Sequence, residues 1–439
     1  MSKKSCFIAL FALPFLFSCS PTEPIPVEPD FSEEACEDCY EYLQSPSSKR
    51  GVAYAFGKEV SWASETDVQL MLPGVTWCYN WGTEPKSNAA SWLDNNGMEF
   101  IPMAWSGVNA NALRTYYNAH PQEKYLLAFN EPNLTDQANM TPTSAAARWP
   151  NVTSLASELN LKVISPAMNY GTLSGYSDPI TWLDEFFAKD NVSLDDVDGI
   201  AMHAYMASAS AVISYLNRFT KYGKKLWLTE FCAWESSIGS AEKQMAYMSA
   251  MLNWLEKSSD VERYAWFIPR NGKPVNTYPY MVLLTNTKPA ELTPAGKLYV
   301  YMSTFDQSVT YSANKRIPAE HYRDCSVDGD NSPIVSNSSD VDGILAISGF
   351  NKNMWADYRV NVSAGNATIR VRYASARNNV MSVYVDGTLL GQYDLPLTGD
   401  DAPWATLDLP QTNLTAGVHT IRLEMTKGSV ALNWFKIIQ

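Results

Sequence analysis

Two glutamates at the ends of short apolar stretches are the residues best placed to do chemistry in this sequence. Glu131 follows the apolar run 125–129, and Pro132 stops that strand directly after it. Glu230 lies at the end of a second run of the same kind, 225–231. Two carboxyl groups in one site can cleave a glycosidic bond, one as proton donor and the other as nucleophile or base. A lone glutamate could be a solvated charge, so this hypothesis needs a fold that brings both together.

The order of apolar stretches predicts that fold. Short apolar runs alternate with longer amphipathic ones, which favours a parallel sheet, and eight such units in about 250 residues match a closed (β/α)8 TIM barrel. An open doubly wound sheet is the weaker alternative, because no Gly-rich phosphate loop follows the first strand. The predicted strands are 52–56, 75–79, 99–104, 125–129, 162–165, 197–202, 225–229 and 263–267, and the predicted helices include 110–119, 144–160, 179–189, 211–222 and 241–257.

In such a barrel, the residues at the carboxyl ends of the strands converge on one face. Here they are two acids, hydrogen-bonding groups and aromatic rings, with neither a serine nucleophile and its base nor a phosphate cradle. This collection suits carbohydrate chemistry. The predicted catalytic residues are Glu131 and Glu230. The predicted substrate-binding residues are Asn130, Trp77, Tyr79, Trp105, His203, Tyr205, Trp234 and Trp266. Asn169 also lies at a strand end but has no assigned role.

The N-terminus predicts an address outside the cytoplasm. Two lysines precede an apolar run, 6–17, that is too short for a permanent membrane span. Cys19 follows a small residue and resembles the lipidation site of a bacterial lipoprotein signal, 1–19, with ordinary secretion as the alternative. The Pro-rich acidic segment 20–48 is typical of a tether. We therefore expect a secreted lipoprotein on the bacterial outer membrane or cell surface, held to the membrane only by its lipid.

Composition narrows the partners. The net charge of −13 without a basic run argues against nucleic acid. Aromatic residues make up 12% of the chain, and 14 tryptophans exceed what a core alone needs, which suits sugar faces. Four histidines without metal-ligand spacing and a single CxxC, at Cys36 and Cys39, do not favour a metal site. We expect catalysis without a cofactor, and a monomer.

The pattern changes after about residue 305. Segments such as 366–373, 381–385 and 418–424 alternate between apolar and polar residues with a period of two. Short alternating strands separated by turns predict an all-β sandwich of jelly-roll type over 316–439. The barrel is accordingly assigned to 49–305 and a linker to 306–315.

The strand ends of the barrel resemble glycoside hydrolase family 128, a retaining β-1,3-glucanase family on the eight-fold barrel. The resemblance implies that Glu131 is the general acid/base and that Glu230 is the nucleophile. A nucleophile must stay ionised and needs hydrogen-bond donors, and Tyr205, two residues past His203, is the predicted donor to Glu230. Asn133 stands where the family often has Asp, which affects a supporting contact and neither carboxylate. The matching stretches are 50–52, Trp-x-Tyr-Asn-Trp at 77–81, 101–105, Asn-Glu-Pro within 129–133, 164–166, 198–205, 227–231 and 264–267.

The C-terminal sandwich resembles carbohydrate-binding module family 6. The resemblance implies a sugar site that includes Trp404 and Asn433, with Phe350 as a further candidate. It allows a structural calcium without requiring one, because Pro318 stands where a Glu is common. The matching stretches are 317–322, 354–358, 369–374, Trp404 and 431–435.

Together these features predict a tethered endo-β-1,3-glucanase of laminarin or curdlan type that works by double displacement and carries a glucan-binding module. Two alternatives stay open. One is a hydrolase of the same clan that acts on another neutral polysaccharide, and the other is a surface protein that binds β-glucan without cleaving it. Pattern alone does not separate endo from exo action.

Overall fold

A computed structural model describes residues 40–58, 60–270, 279–399 and 403–439 of the protein. The predicted signal with its lipidation site Cys19, and the predicted tether up to residue 39, lie outside the described residues. Within the described ranges, no helix combines the length and the apolar character needed to cross a membrane.

The first eight strands form one curled, TIM-like parallel sheet. Its order is β3-β2-β1-β8-β7-β6-β5-β4, and a parallel bridge between Met103 and Leu127 joins the segment after β3 to β4. Each strand lies beside its sequence neighbours, and β1 lies beside β8, so the open doubly wound alternative is wrong. The strands are β1 Ser47–Ala53, β2 Val75–Tyr79, β3 Glu99–Phe100, β4 Tyr125–Leu127, β5 Lys162–Ile164, β6 Gly199–Ala204, β7 Lys225–Phe231 and β8 Val261–Trp266.

Helices connect these strands, which confirms the predicted alternation. Several begin at a side chain that caps a free backbone N–H group: Thr141 and Thr293 each precede a proline at the first helical turn and accept from an N–H two residues beyond it. The helices are α1 Ser64–Met71, α2 Ser87–Asn95, α3 Ala110–Ala119, α4 Pro142–Leu159, α5 Pro179–Phe187, α6 Ala209–Asn217, α7 Ala241–Lys257 and α8 Pro294–Tyr301, with 3-10 turns at Ser61–Ala63, Leu194–Asp196, Arg218–Tyr222 and Pro279–Met281.

Alternation along each strand separates the barrel interior from the layer under the helices. Trp77 and Tyr79 point into the interior, where they pack with Trp227, whereas Cys78 packs under the helices. Strand β1 begins earlier than predicted because its polar start is buried: Arg50 pairs with Glu256 of α7 at 2.8 Å. A hydrophobicity pattern identifies strands by their apolar residues, so it does not detect a strand that begins with polar residues buried through an ion pair.

The C-terminal module consists of two mainly antiparallel sheets, as predicted, and the jelly-roll type stays a prediction. One sheet follows the order β12-β13-β21-β15-β18 with β10 and β19 alongside, and the other follows β11-β14-β20-β16-β17 with β9 alongside. The strands are β9 Tyr311–Ser312, β10 Ile317–Pro318, β11 Asp324–Cys325, β12 Ile334–Asn337, β13 Leu345–Asn351, β14 Trp355–Val362, β15 Gly365–Ala374, β16 Asn379–Val385, β17 Thr388–Leu395, β18 Trp404–Asp408, β19 Thr412–Leu414, β20 Gly417–Lys427 and β21 Ser429–Ile438.

The described end of the predicted tether is part of the folded body. Tyr40 forms a parallel bridge with Arg316 and donates a hydrogen bond to Asp342 at 3.0 Å, so it packs on the module. Gly343 has φ +86°, and a Cβ there would lie 3.1 Å from the Tyr40 hydroxyl. The predicted linker 306–315 likewise contains strand β9, which pairs with β14. These segments are fixed by backbone pairing that their polar composition does not reveal.

Candidate active site

The backbone holds Glu131 in place just beyond β4. Its N–H donates to the carbonyl of Ala167 at 2.9 Å, and the preceding N–H of Asn130 donates to the carbonyl of Trp105 at 2.8 Å. Glu131 has φ +42°, in the left-handed region that residues with a side chain rarely occupy. Pro132 follows directly, so the chain turns and leaves the carboxyl group at the mouth of the barrel.

A β-bulge aims Glu230 at the same place. Met202 pairs with Leu228 and His203 pairs with Glu230, so β7 contains one extra residue, Thr229, relative to β6. Such a bulge bends the strand and redirects its side chains. The Glu230 side chain therefore faces the interior beside His203, and it is 4% exposed.

Three neutral donors surround Glu230. Tyr79 Oη donates to Oε1 at 2.9 Å, Trp81 Nε1 donates to the same oxygen at 2.7 Å, and Tyr205 Oη donates to Oε2. Burial, together with the charge of Glu230, raises the pKa of both tyrosine hydroxyls well above its usual value, so both remain donors. The predicted donor role of Tyr205 is confirmed, and Tyr79 and Trp81 add two donors.

His203 links the two glutamates. Its Nδ1 lies 2.9 Å from Glu131 Oε1 and 3.5 Å from Glu230 Oε2, so both carboxyl groups reach one atom and share one face of the barrel. The ring is fully buried and does not reach the cleft, so its predicted contact with substrate is wrong. Glu131 Oε1 also accepts from Asn169 Nδ2 at 2.9 Å.

These contacts set the charges of the pair. Burial would lower the pKa of His203, but the charges of Glu230 and Glu131 outweigh it and raise that pKa above its usual value. Burial would raise the pKa of Glu131, but the charge of His203 and hydrogen bonds from His203 and Asn169 lower it below its usual value. Both shifts act in the same sense: they favour a proton on His203 and the ionised form of Glu131.

A cleft of ≈ 720 Å³ opens above the two glutamates. Four predicted substrate-binding residues line it (Trp105, Asn130, Tyr205 and Trp234), and the indole of Trp234 is 40% exposed. Asn130 Nδ2 donates to Gln137 at 3.3 Å, and among the described residues nothing donates to its buried Oδ1. The lining comprises Lys58, Trp81, Trp105, Asn130, Glu131, Leu134, Gln137, Asn169, Tyr205, Glu230, Trp234, Phe267 and Ile268.

Three aromatic predictions are corrected. Trp77 faces the interior but lies deeper, fully buried, where its Nε1 donates to the carbonyl of Lys49. Trp266 points away from the interior, under the helices, and donates to the carbonyl of Met281 at 2.7 Å. Tyr79 is fully buried and contacts Glu230 without lining the cleft.

Sequence reasoning assigned neither Trp81 nor Phe267 to the cleft, and it named Asn169 at a strand end without giving it a role. Trp81 and Phe267 line the cleft, and Asn169 holds Glu131. Trp81 lies two residues beyond Tyr79, so continuing the period of two past the strand end would have found it. Phe267 follows Trp266 and takes the place at the cleft that was assigned to Trp266.

The predicted sugar-binding residues of the module are buried. Asn433 is fully buried, and its amide donates to Asp340 Oδ2 at 2.9 Å, while Phe350 lies in the hydrophobic core. Trp404 is 9% exposed and donates to Ser339. A cavity of ≈ 580 Å³ lies instead on the outer face of the sheet that contains β14 and β20, and its lining includes Asp357, Tyr384, Asp386, Thr420, Arg422 and Glu424.

The structural calcium that the resemblance allows in the module stays a prediction. Glu320 is fully buried, and burial raises its pKa to about 8, so it is held as a neutral acid. Calcium needs six to eight oxygen ligands, and within the described ranges no group of three His, Cys, Asp or Glu side chains could hold a metal.

The sequence matches two known families. Residues 328–437 match the carbohydrate-binding module of family 35, so the predicted family 6 type is wrong. Residues 51–299, more than half of the chain, match the family described as the glycosyl hydrolase catalytic core.

Solved structures and one curated protein are similar to the barrel. A GH128 (subgroup II) endo-β-1,3-glucanase from Pseudomonas viridiflava is 37% identical with a TM-score of 0.52, and the match covers 58% of this chain and 98% of that one. A second subgroup II enzyme, from Sorangium cellulosum, is 31% identical with a TM-score of 0.49, covering 57% and 97%. Alkali-sensitive linkage protein 1 of Schizosaccharomyces pombe is 27% identical over 234 residues, 51% of this chain and only 39% of that protein. The chain belongs to the glycosyl hydrolase catalytic core family.

Proposed function

We propose that the protein is a retaining endo-β-1,3-glucanase that hydrolyses laminarin- or curdlan-type glucans, with Glu131 as general acid/base and Glu230 as nucleophile. The observation that carries the proposal is the shared contact of both carboxyl groups with His203 at the floor of an aromatic cleft. Retaining enzymes hold their two carboxyl groups about 5–5.5 Å apart, closer than inverting enzymes do. The similarity to the Pseudomonas viridiflava endo-β-1,3-glucanase supports the choice of glucan and of endo action.

The proposed reaction has two displacements. Glu131 protonates the glycosidic oxygen while Glu230 attacks the anomeric carbon, so the leaving chain departs and a glycosyl ester forms on Glu230. Glu131 then takes a proton from water, which displaces the ester and restores the original anomeric configuration. His203 Nδ1 lies 2.9 Å from Glu131 Oε1, so His203 can pass a proton to Glu131 before the first step and take one back after the second. The Tyr79, Trp81 and Tyr205 donors hold the Glu230 carboxyl group in place and point it at the sugar.

The test follows products over time. The enzyme is incubated with laminarin and, separately, with xylan, mannan and cellulose oligosaccharides, and new reducing ends, product lengths and product anomers are measured. We expect cleavage of laminarin, a ladder of intermediate lengths, and first products in the β configuration. First products in the α configuration would refute retention, and glucose as the sole early product would refute endo action. Faster cleavage of another glycan would refute the proposed substrate. Binding of laminarin without new reducing ends would refute the proposed activity.

We also propose that Cys19 carries a lipid and that the enzyme is displayed on the cell surface. The motivating pattern is the short apolar run followed by a cysteine after a small residue. Substituting Cys19→Ala in the full chain is expected to move the protein from the membrane fraction to the soluble fraction. Unchanged fractionation would contradict this address.

A further inference from the structure

The C-terminal module is docked onto the barrel beside the cleft. Asp330 of the module accepts hydrogen bonds from the backbone N–H groups of Ala209 at 2.7 Å and Ser210 at 3.2 Å, at the start of α6. Gly329 approaches so closely that a Cβ there would lie 2.1 Å from Ser210 Oγ. Helix α6 begins shortly after Tyr205, which lines the cleft, so this loop of the module lies on the cleft side of the barrel.

A second set of contacts, all buried, joins the module to helix α7 of the barrel. The carbonyl of Pro333 accepts from Ser249 Oγ at 3.1 Å and from Asn253 Nδ2 at 3.0 Å, both on α7. Tyr322 Oη donates to Asn253 Oδ1 at 2.6 Å. Because these polar groups are buried and satisfy one another, separating the two domains would leave them without partners.

A cavity of ≈ 310 Å³ lies between the two domains at this junction. Barrel residues Ile238, Lys243 and Ala246 form one side of it, and Asp330 and Ile334 of the module form the other. Its volume is at the lower end of the range for ligand pockets, ~300–1,000 Å³. Neither domain encloses this space by itself.

The cavity continues the rim of the cleft. Trp234 and Tyr205 both line the cleft, and the N–H of Trp234 donates to the carbonyl of Tyr205 at 2.9 Å. Two residues further along the chain, the N–H of Ala207 donates to Glu235 Oε1 at 3.2 Å, and Ala207 already borders the cavity. Only Met206 separates Tyr205, which lines the cleft, from Ala207, which lines the cavity, so the cavity begins close to the cleft.

The walls of the cavity suit a neutral sugar. Ile238, Ala246 and Ile334 offer apolar surface, and the Lys243 ammonium and the Asp330 carboxylate offer a donor and an acceptor for hydroxyl groups. Tyr247 forms a further part of the wall, and among the described residues its buried hydroxyl has no hydrogen-bond partner.

We propose that this interdomain cavity is an outlying subsite that binds one sugar unit of a glucan chain lying in the cleft. The module thereby completes the substrate-binding surface of the barrel. The proposal rests on the proposed function, since it requires a glucan chain in the cleft.

Filling the cavity tests the proposal. Ala246 is half-buried on α7 and lies outside the catalytic machinery, so Ala246→Trp should block the subsite. We expect kcat/KM to be unchanged for the shortest laminari-oligosaccharide that is cleaved and to fall about three- to tenfold for the longest, as for the loss of one or two hydrogen bonds. Lys243→Met, at an exposed position, should give a smaller loss with the same dependence on length. Glu242→Trp, exposed on the same helix and away from the cavity, should match wild type throughout.

The outcomes are distinguishable. If Ala246→Trp and Lys243→Met match wild type at every length, the subsite is refuted while the glucanase assignment stands. An equal loss at every length, the shortest included, also refutes the subsite, because it indicates general damage to the cleft. A wild-type enzyme that cleaves no laminari-oligosaccharide refutes the proposed function and the subsite with it. Thermal midpoints of all variants identify any that are unfolded, and Lys243→Met adds no buried volume.

Discussion

Buried carboxylates occur in two regions of this molecule with different partners. In the barrel wall, Glu256 pairs with Arg50 at 2.8 Å and Asp67 pairs with Arg270 at 2.5 Å, and all four side chains are buried. At the cleft, among the described residues, Glu131 and Glu230 contact hydroxyl, amide, indole and imidazole groups, without a guanidinium.

The difference indicates what each group is for. A guanidinium stays charged at every working pH and offers fixed donors, so it holds a carboxylate ionised and in one place. Neutral donors and a titratable ring also stabilise a carboxylate, but they let it accept a proton or form a bond to carbon. On the proposed function, the same residue type is structural in the wall and reactive at the cleft, and four predictions test this contrast.

The largest effect is expected at the cleft. Glu131→Gln and Glu230→Gln should each lower the rate of laminarin cleavage by roughly 10²–10⁴-fold or more, the range for a lost acid or base, with little change in the midpoint of thermal unfolding. Rates and midpoints are measured on the same preparations. A variant with near wild-type turnover would remove its glutamate from the mechanism.

The wall should respond in the opposite way. Glu256→Gln leaves Arg50 buried without its counter-charge, and breaking a buried pair costs roughly 3–5 kcal/mol of unfolding free energy. The Arg50 guanidinium also donates to the carbonyls of Tyr299, Met302 and Ser303, so it cannot easily move to water. We expect a clear loss of stability in urea and an unchanged kcat for the folded fraction. Exposed Glu158→Gln is the matched control and should be nearly silent.

A donor to the nucleophile should give an intermediate effect. Tyr79 contacts Glu230 but does not line the cleft, so Tyr79→Phe removes a positioning hydrogen bond and no contact with substrate. A hydrogen bond to a charged group contributes about 1.5–3 kcal/mol, so kcat should fall about 10–100-fold. KM should change little. A raised KM with normal kcat would mean that Tyr79 acts on binding instead.

The smallest effect is expected at Glu320, a buried carboxyl group whose pKa is raised by burial. Burial raises the pKa of Glu320 to about 8, so its neutral form is favoured by folding. Its contribution to stability is complete below about pH 4.5 and is lost as the pH rises through about 8. Between pH 5 and pH 9, the thermal midpoint of wild type should therefore fall by a few degrees more than that of Glu320→Gln, because the glutamine cannot ionise.

A bound calcium ion would reverse this last result. It would hold Glu320 ionised in the folded protein, so raising the pH would not weaken wild type relative to the variant. The midpoint of wild type would then also fall on adding a chelator. If the thermal midpoints of both proteins depend on pH in the same way, and a chelator lowers the midpoint of wild type, then Glu320 is not a neutral acid in the folded protein.

The barrel and its two glutamates were predictable from local pattern. Period-two alternation identifies a strand, a proline or polar turn identifies its end, and the residues at those ends must meet when eight strands curl into one sheet. The bulge at Thr229 was not predictable, because it depends on how β7 pairs with β6 rather than on the residues of β7.

Depth and distant contacts set the limits of that reasoning. The Trp77 side chain faces the barrel interior, as predicted, but it lies too far below the cleft to contact a ligand. Alternation along a strand indicates which face a side chain takes and not how deep it lies in the barrel. Trp266 and Phe267 are adjacent aromatics, so an uncertainty of one residue exchanges the inner for the outer one. Asn433 has the chemistry of a binding residue, but its amide is used by Asp340, whose position only the folded chain reveals.

Tyr40 belongs to a segment that comes before the barrel, yet it is seated in the domain that comes after it. The two domains are consequently not interchangeable cassettes. A gene rearrangement that exchanged the C-terminal part alone would leave this tyrosine facing a foreign surface.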